Sequence, residues 1–259
     1  MGIDLNISQG TLIAFLLVLA RISGFAVYVP LPGIRSGWEA PRIVLAVSIT
    51  LVLYPRWPAM DASAMNLPVL IGWMLAEAAI GISVGLAVAF LTEAFQMGAQ
   101  IISLQAGYSF ATTIDPTSGA DSGVLLALAQ LAGGFFFFAS GLDRKVLASF
   151  ADSLSTLPPG HFHLSASLAG ALISLGTTIF TTGLRLVLPV LGLLLMIEVS
   201  IALLARLNSQ LHLMMLTFPM KMLISLALLA WLIAIFPRVF DQTAGPVLQV
   251  VRRLLSSNG

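Results

Sequence analysis

The run Val69–Leu91, VLIGWMLAEAAIGISVGLAVAFL, decides the fold. Glu77 is its one charge, and it is longer than the about 20 residues with which a helix crosses a hydrocarbon core. Nowhere does the chain alternate apolar and polar residues with the period of two that a membrane barrel strand needs. The expected fold is therefore all-α. Further apolar runs are Leu12–Val29, Ile43–Tyr54, Val124–Leu142, Leu164–Leu204 and Leu211–Phe236. Ile43–Tyr54, set between Pro41 and Pro55, is too short to span and is expected to be buried in protein. Leu164–Leu204 is about twice a span and holds Pro189, so two helices or one strongly kinked helix are expected there. The count comes to six to eight helices, several short or kinked, arranged in hairpins.

Composition points the same way. Of 259 residues, 58% are hydrophobic and 9% charged, against roughly a quarter charged in a soluble domain. The chain is a membrane or membrane-complex protein. Twelve Lys and Arg against eleven Asp and Glu leave a formal charge of +1, too little to hold a nucleic-acid backbone. Cysteine is absent, which removes disulfides, thiolate metal sites and thiol nucleophiles. Asp4 and the absence of Lys or Arg before Leu12, with Arg21 interrupting the first run, match a cleaved signal poorly, so residue 1 is expected in the mature chain. Basic residues in the short connections do not decide the topology. The connection 92–123, charged only at Glu93, Asp115 and Asp121, is expected away from the cytoplasmic surface. No fixed-period repeat or low-complexity linker divides the chain, so one domain is expected. At its end Val247, Leu248, Val251, Leu254 and Leu255 share a helical face beside Arg252 and Arg253, a small amphipathic helix for an interface or a partner.

Arg21, Glu77, Arg185, Glu198 and Lys221 lie inside or at the edge of apolar runs. A lipid-facing charge costs at least about 2.5 kcal/mol at a helix centre, so these side chains must face protein or water. Pairing across helices, an ion relay, and pairing with another subunit all satisfy that demand. Spacing by four places Glu77, Gly81, Gly85, Ala89 and Glu93 on one stripe, and Gly81 with Gly85 lets a second helix backbone approach closely. Glu77 is thus expected to face a packed helix.

The least lipid-like segment is 105–123, built of small and hydroxyl residues around the turn signal Asp115-Pro116. Non-helical backbone at membrane depth must be buried in protein or line a wet cavity. A solvent-exposed loop and a re-entrant or pore-lining segment are both open. His161 and His163 have no ligand set around them, and no metal or other cofactor is expected. There is no Gly-Lys-Ser/Thr phosphate loop either, so any energy input is external to this chain. Phe135–Phe138 beside Gly133-Gly134 reads as lipid or helix packing.

These residues resemble the FliR/SctT family of type III secretion export-gate proteins, its flagellar branch in particular. The resemblance runs nearly end to end. It rests on Ala20-Arg21-Ile22-Ser23-Gly24 with Pro30 and Gly33, Pro41-Arg42, Glu77 with Gly81 and Gly85, and Gln105-Ala106-Gly107-Tyr108-Ser109 leading to Asp115-Pro116-Thr117-Ser118-Gly119. Leu157-Pro158 and Gly160, Leu184-Arg185-Leu186 with Pro189, Glu198, Ala205-Arg206 and Phe218-Pro219-Lys221 extend it. Ser209-Gln210-Leu211-His212 departs from the Pro-Gln-Leu-Asn common in the family, and Thr217 from its Gly.

The resemblance implies a non-enzymatic subunit of a flagellar protein-export gate in the bacterial inner membrane, at the flagellar basal body. It implies assembly with FliP-like and FliQ-like subunits into a pore, a FlhB-like switch protein at its entrance, and unfolded proteins in transit. A FliP-like portion to about residue 185 and a FliQ-like hairpin and tail from about 186 to 259 are implied too. The family's pore plug maps onto about 106–122, which puts Gly107, Tyr108, Ser109, Phe110, Thr112, Thr113, Ile114, Asp115, Pro116, Ser118 and Gly119 in that role. Arg21, Glu77, Gly81, Gly85, Arg185, Glu198, Arg206 and Lys221 are the candidates for buried charge and subunit packing. The reading from another class is a small-molecule or ion secondary transporter with Glu77, Glu198 and Arg185 as coupling residues. A membrane-embedded enzyme is a third, for which no nucleophile–base pair or metal set is visible.

Overall fold

A computed structural model describes residues 8–32, 39–60, 66–107, 124–160, 166–207 and 213–256. Among these the chain is all-α, as expected, with seven α-helices and no strand. They are α1 (Gln9–Tyr28), α2 (Glu39–Val52), α3 (Leu67–Ala106), α4 (Val124–Ala139), α5 (Leu142–Thr156), α6 (Ala166–Leu207) and α7 (Leu213–Ser256). A 3-10 turn at Tyr54–Arg56 follows α2. The boundaries follow local chemistry. The Ser8 hydroxyl accepts from the Thr11 amide at 3.2 Å and caps α1, and Pro55 closes off α2. Pro68 opens α3, and Gly107 ends it at φ +84°, a left-handed cap for which glycine has no Cβ penalty.

The 40-residue α3 is the spine. Its first half carries α1, and its second half carries α6 running parallel to it and α7 running antiparallel. Gly176 lies by Phe90, Gly183 by Ala94 and Met97, and Gly98 by Val187, which sets the parallel register of α6. Phe95 stacks on Phe236 with ring centroids 4.3 Å apart, and the Thr156 hydroxyl donates to the Leu255 carbonyl at 3.2 Å, which places the end of α7 beside α5. Between α4 and α5 the chain bends by 59°. Gly134 abuts the backbone of Pro32 and Gly133 abuts Thr92; Phe137 is buried while Phe135 is exposed.

Of the two alternatives for Leu164–Leu204 the structure holds the single helix: α6 continues through Pro189, which removes only one donor, the one that would answer the Arg185 carbonyl. The separate tail helix is corrected. The last run and the tail also form one helix, α7, continuing through Pro219, Pro237 and Pro246. The tail's apolar face, with Val247, Val251, Leu254 and Leu255 buried, packs within the chain, while Arg252 and Arg253 stay exposed. Among the described residues α1 and the following turn are the main cover of α2, which buries Ala46 and Thr50 and leaves Ile43, Val44, Leu51 and Val52 exposed, so the protein expected around it is not supplied by these elements.

Four helices are long and apolar enough to cross a membrane, with a fifth span if the bent pair α4–α5 counts as one. The chain is a membrane protein by this measure as well as by composition.

The crossing of α1 over α3 is built on glycines. A Cβ on Gly81 would fall on the Arg21 carbonyl oxygen, one on Gly24 would lie 2.5 Å from the Ala78 carbonyl oxygen, and one on Gly85 would lie 3.0 Å from the Phe25 carbonyl oxygen. Gly192, by contrast, has open space around it. Gly81→Ala is expected to cost roughly 1–3 kcal/mol by overpacking. Gly85→Ala should cost less, and Gly192→Ala should be neutral or stabilise by up to about 1 kcal/mol through helix propensity. Thermal unfolding in detergent measures the order, and equal midpoints for Gly81→Ala and Gly192→Ala would overturn it.

Candidate functional site

Arg21 projects from the middle of α1 at the level where the glycines bring the helices together, and Glu77 stands on α3 directly across from it. Both side chains are fully buried. The Arg21 Nε–H donates to Glu77 Oε2. Arg21 Nη1 donates to the Ser153 hydroxyl at 2.9 Å and Nη2 to the Leu157 carbonyl at 3.0 Å. Glu77 Oε1 accepts the Gly160 amide at 3.2 Å. One ion pair therefore joins α1, α3, α5 and the turn 157–160. Gly160 has φ +90°, and a Cβ there would meet the Trp73 ring at 2.8 Å, so only glycine can present this amide to Glu77.

A second polar cluster lies at the far end of α3. Glu198 of α6 accepts from Lys221 Nζ of α7 at 3.1 Å on Oε1 and from Gln105 Nε2 of α3 at 3.2 Å on Oε2. Lys221 is buried here, whereas the Glu198 side chain is 51% exposed. Glu77 and Gln105 lie about 42 Å apart along α3 at a rise of ~1.5 Å per residue.

The structure thus brings Arg21, Glu77, Gly81 and Gly85 together in one place and Glu198 with Lys221 in another. Arg185 and Arg206 are exposed on α6 and join neither cluster. Of the plug residues Gly107 is described, as the cap of α3; Tyr108, Ser109, Phe110, Thr112, Thr113, Ile114, Asp115, Pro116, Ser118 and Gly119 lie outside the described residues, as do His161 and His163. The stripe expected to end at Glu93 is corrected. Steps of four advance about 400°, so the line drifts some 40° per step and is about 160° away by Glu93. Glu93 is accordingly exposed, while Glu77, Gly81 and Gly85 are buried.

Ser153, Leu157, Gly160 and Gln105 are the participants that sequence reasoning did not assign. Leu157 and Gly160 act through backbone groups, which residue identity does not advertise. The unusual Leu157-Pro158-Pro159-Gly160 turn was the available signal.

Removing one partner of a buried pair strands the other charge at a cost of about 3–5 kcal/mol. Arg21→Leu and Glu77→Leu are each expected to unfold or deplete the protein. Arg21→Leu with Glu77→Leu should cost less than the two changes summed, and Glu77→Gln should be the mildest because its amide oxygen still accepts. Membrane abundance and unfolding midpoints of the four variants check this; strict additivity would refute the pairing.

Comparison with known proteins covers almost the whole of this geometry. The family described as bacterial export proteins, family 1, matches residues 12–245. A protein of Escherichia coli (strain K12) named flagellar biosynthetic protein FliR is 28% identical over 239 residues, 92% of this chain and 91% of its own length. Its namesake in Pectobacterium carotovorum subsp. carotovorum is 27% identical over 243 residues, 93% of this chain and 91% of its own. That of Bacillus subtilis (strain 168) is 24% identical over 254 residues, 95% of this chain and 96% of its own. The matched span takes in both polar clusters, the glycine crossing and the polar segment between α3 and α4, and the chain belongs to family 1 of the bacterial export proteins, the FliR/SctT family.

Proposed function

We propose that this chain is a non-enzymatic subunit of the flagellar protein-export apparatus in the bacterial inner membrane, and that it helps to form and to close the pore through which unfolded flagellar proteins pass. The observation that carries the reading is the full-length likeness to proteins named for flagellar biosynthesis within an export family. The fold supports a gate role. Apolar α3 runs without a break to Gly107 and the chain re-enters a helix at Val124, so the small, hydroxyl-rich segment is flanked on both sides by apolar helices.

Partners follow from what the chain leaves uncovered. The 14-residue α2 is about 21 Å long, too short to span lipid, yet it exposes Ile43, Val44, Leu51 and Val52. Such a face calls for other protein, and FliP-like and FliQ-like subunits with a FlhB-like switch protein are the proposed occupants. The proposed FliQ-like hairpin and tail, from about 186 to 259, takes in the second half of α6 and all of α7. A secondary transporter has less support. Glu77 is closed off by its donors, and Arg185 joins neither polar cluster.

Side chains of the polar segment are small and bury little apolar area, so shortening it should cost assembly little. Deleting Thr112 to Ala120 is expected to leave an assembled complex and to raise ion or small-molecule leak. Native-gel assembly and dye leak in the same strain provide the readout. An assembled complex with unchanged leak removes the closing role, and a failure to assemble makes the segment a packing element.

A further inference from the structure

Where the polar segment begins depends on what holds the last turn of α3. Gln105 sits two residues before the left-handed Gly107, and its neighbour Leu104 is exposed. Among the described residues its bond to Glu198 is the one side-chain hydrogen bond tying the last two turns of α3 to another element. Glu198 divides its carboxylate, one oxygen taking Lys221 of α7 and the other Gln105 of α3. The Lys221 side chain is buried, and its ammonium holds the Glu198 carboxylate in place through a charge-assisted hydrogen bond.

We propose that Glu198 is a positioning residue whose carboxylate clasps the tip of α3 to the α6–α7 hairpin and so fixes the point from which the chain enters the polar segment. Its functional weight rests on the closing role proposed above, whereas the clasp itself can be tested without it. One carboxylate on α6 thus receives donors from two further helices, α3 and α7. The clasp also has a built-in symmetry. Gln105 offers a carbonyl oxygen as well as an amide, so reversing the pair, with Lys at 198 and Glu at 221, still lets it bind.

The test uses the full-length chain, purified from membranes with the subunits that accompany it, and follows backbone hydrogen exchange together with leak in the producing strain. Glu198→Ala, which removes both acceptor oxygens, is expected to raise exchange in residues 101–107 about tenfold. Residues 77–92 of the same helix should not change, which separates a local clasp from general destabilisation. The double reversal Glu198→Lys with Lys221→Glu should restore protection, and Gln105→Leu, which keeps the ion pair, should loosen the same tip if Glu198→Ala fails to assemble. Unchanged exchange at 101–107 in both single variants, or an equal rise along all of α3, overturns the proposal. A loosened tip with raised leak supports both the clasp and the closing role. A loosened tip with unchanged leak supports the clasp and removes the closing role.

Discussion

The close approach of α1 and α3 is the constraint on which the rest depends. Gly24, Gly81 and Gly85 let two backbones touch, and that contact places a guanidinium and a carboxylate together with no water between them. A buried pair survives only if its remaining donors and acceptors are answered, because an unanswered group costs about 1–3 kcal/mol and more when charged. Arg21 needs acceptors beyond Glu77, and Ser153 and Leu157 supply them; Glu77 needs a second donor, and Gly160 supplies it. The position of α5 and the form of the turn after it thus follow from a demand set up by two helices that precede them in the chain. The exposed Arg56–Asp152 pair near the same end, at 3.2 Å, adds at most about 1 kcal/mol by comparison.

Helix length explains how one chain can hold charge at several depths. At ~1.5 Å per residue α3, α6 and α7 are each about 60 Å long or more, twice a hydrocarbon core of ~30 Å. Exposed Glu93, Arg185 and Arg238 lie at one level of the bundle, where Gly183 meets Ala94 and Phe236 meets Phe95. Lipid cannot cover that level cheaply. Beyond it, from Arg185 to Arg206, α6 runs about 31 Å with Leu188, Leu193, Leu195, Met196, Val199, Leu203 and Leu204 exposed. That half is about as long as a hydrocarbon core is thick and mostly apolar outside, interrupted by the half-exposed Glu198, while the other half keeps Arg21 and Glu77 buried in protein.

Much of this was legible in the sequence, and the exceptions have a common cause. Helices and their apolar character follow from runs such as Val69–Leu91, and the glycine stripe with Glu77 follows from spacing over two turns. The same spacing rule fails at Glu93 because a step of four overshoots the helical repeat, so an error small at Gly81, one step from Glu77, has become a wrong face at Glu93, four steps from it. Pro189 reads as a bend or break, but α6 runs through it with Val187 and Val190 buried on either side. The Leu157 carbonyl and the Gly160 amide could not be assigned because backbone groups look alike in every sequence until the fold aims them, and nothing in the sequence ties the Ser153 hydroxyl to Arg21. Glu198 and Lys221 stood out as charges in apolar surroundings, but only the parallel register of α6 against α3 reveals that Gln105 completes them.

The two polar clusters differ in a way that bears on motion. Around Arg21 and Glu77 every bond is dry, so opening it means exposing two charges to a medium that cannot solvate them, and that end of the bundle is fixed. Glu198 is half in contact with its surroundings, and water or a competing donor can take over either oxygen as it lets go. A bond that can be exchanged rather than broken opens at modest cost. The same helix is therefore clamped at Glu77 and only latched at Gln105, and since a helix transmits position along its length, any displacement must be concentrated at the latched end. That end is where Gly107 turns the chain out of α3, which is the arrangement a subunit needs if its scaffold is to stay assembled while one segment changes place.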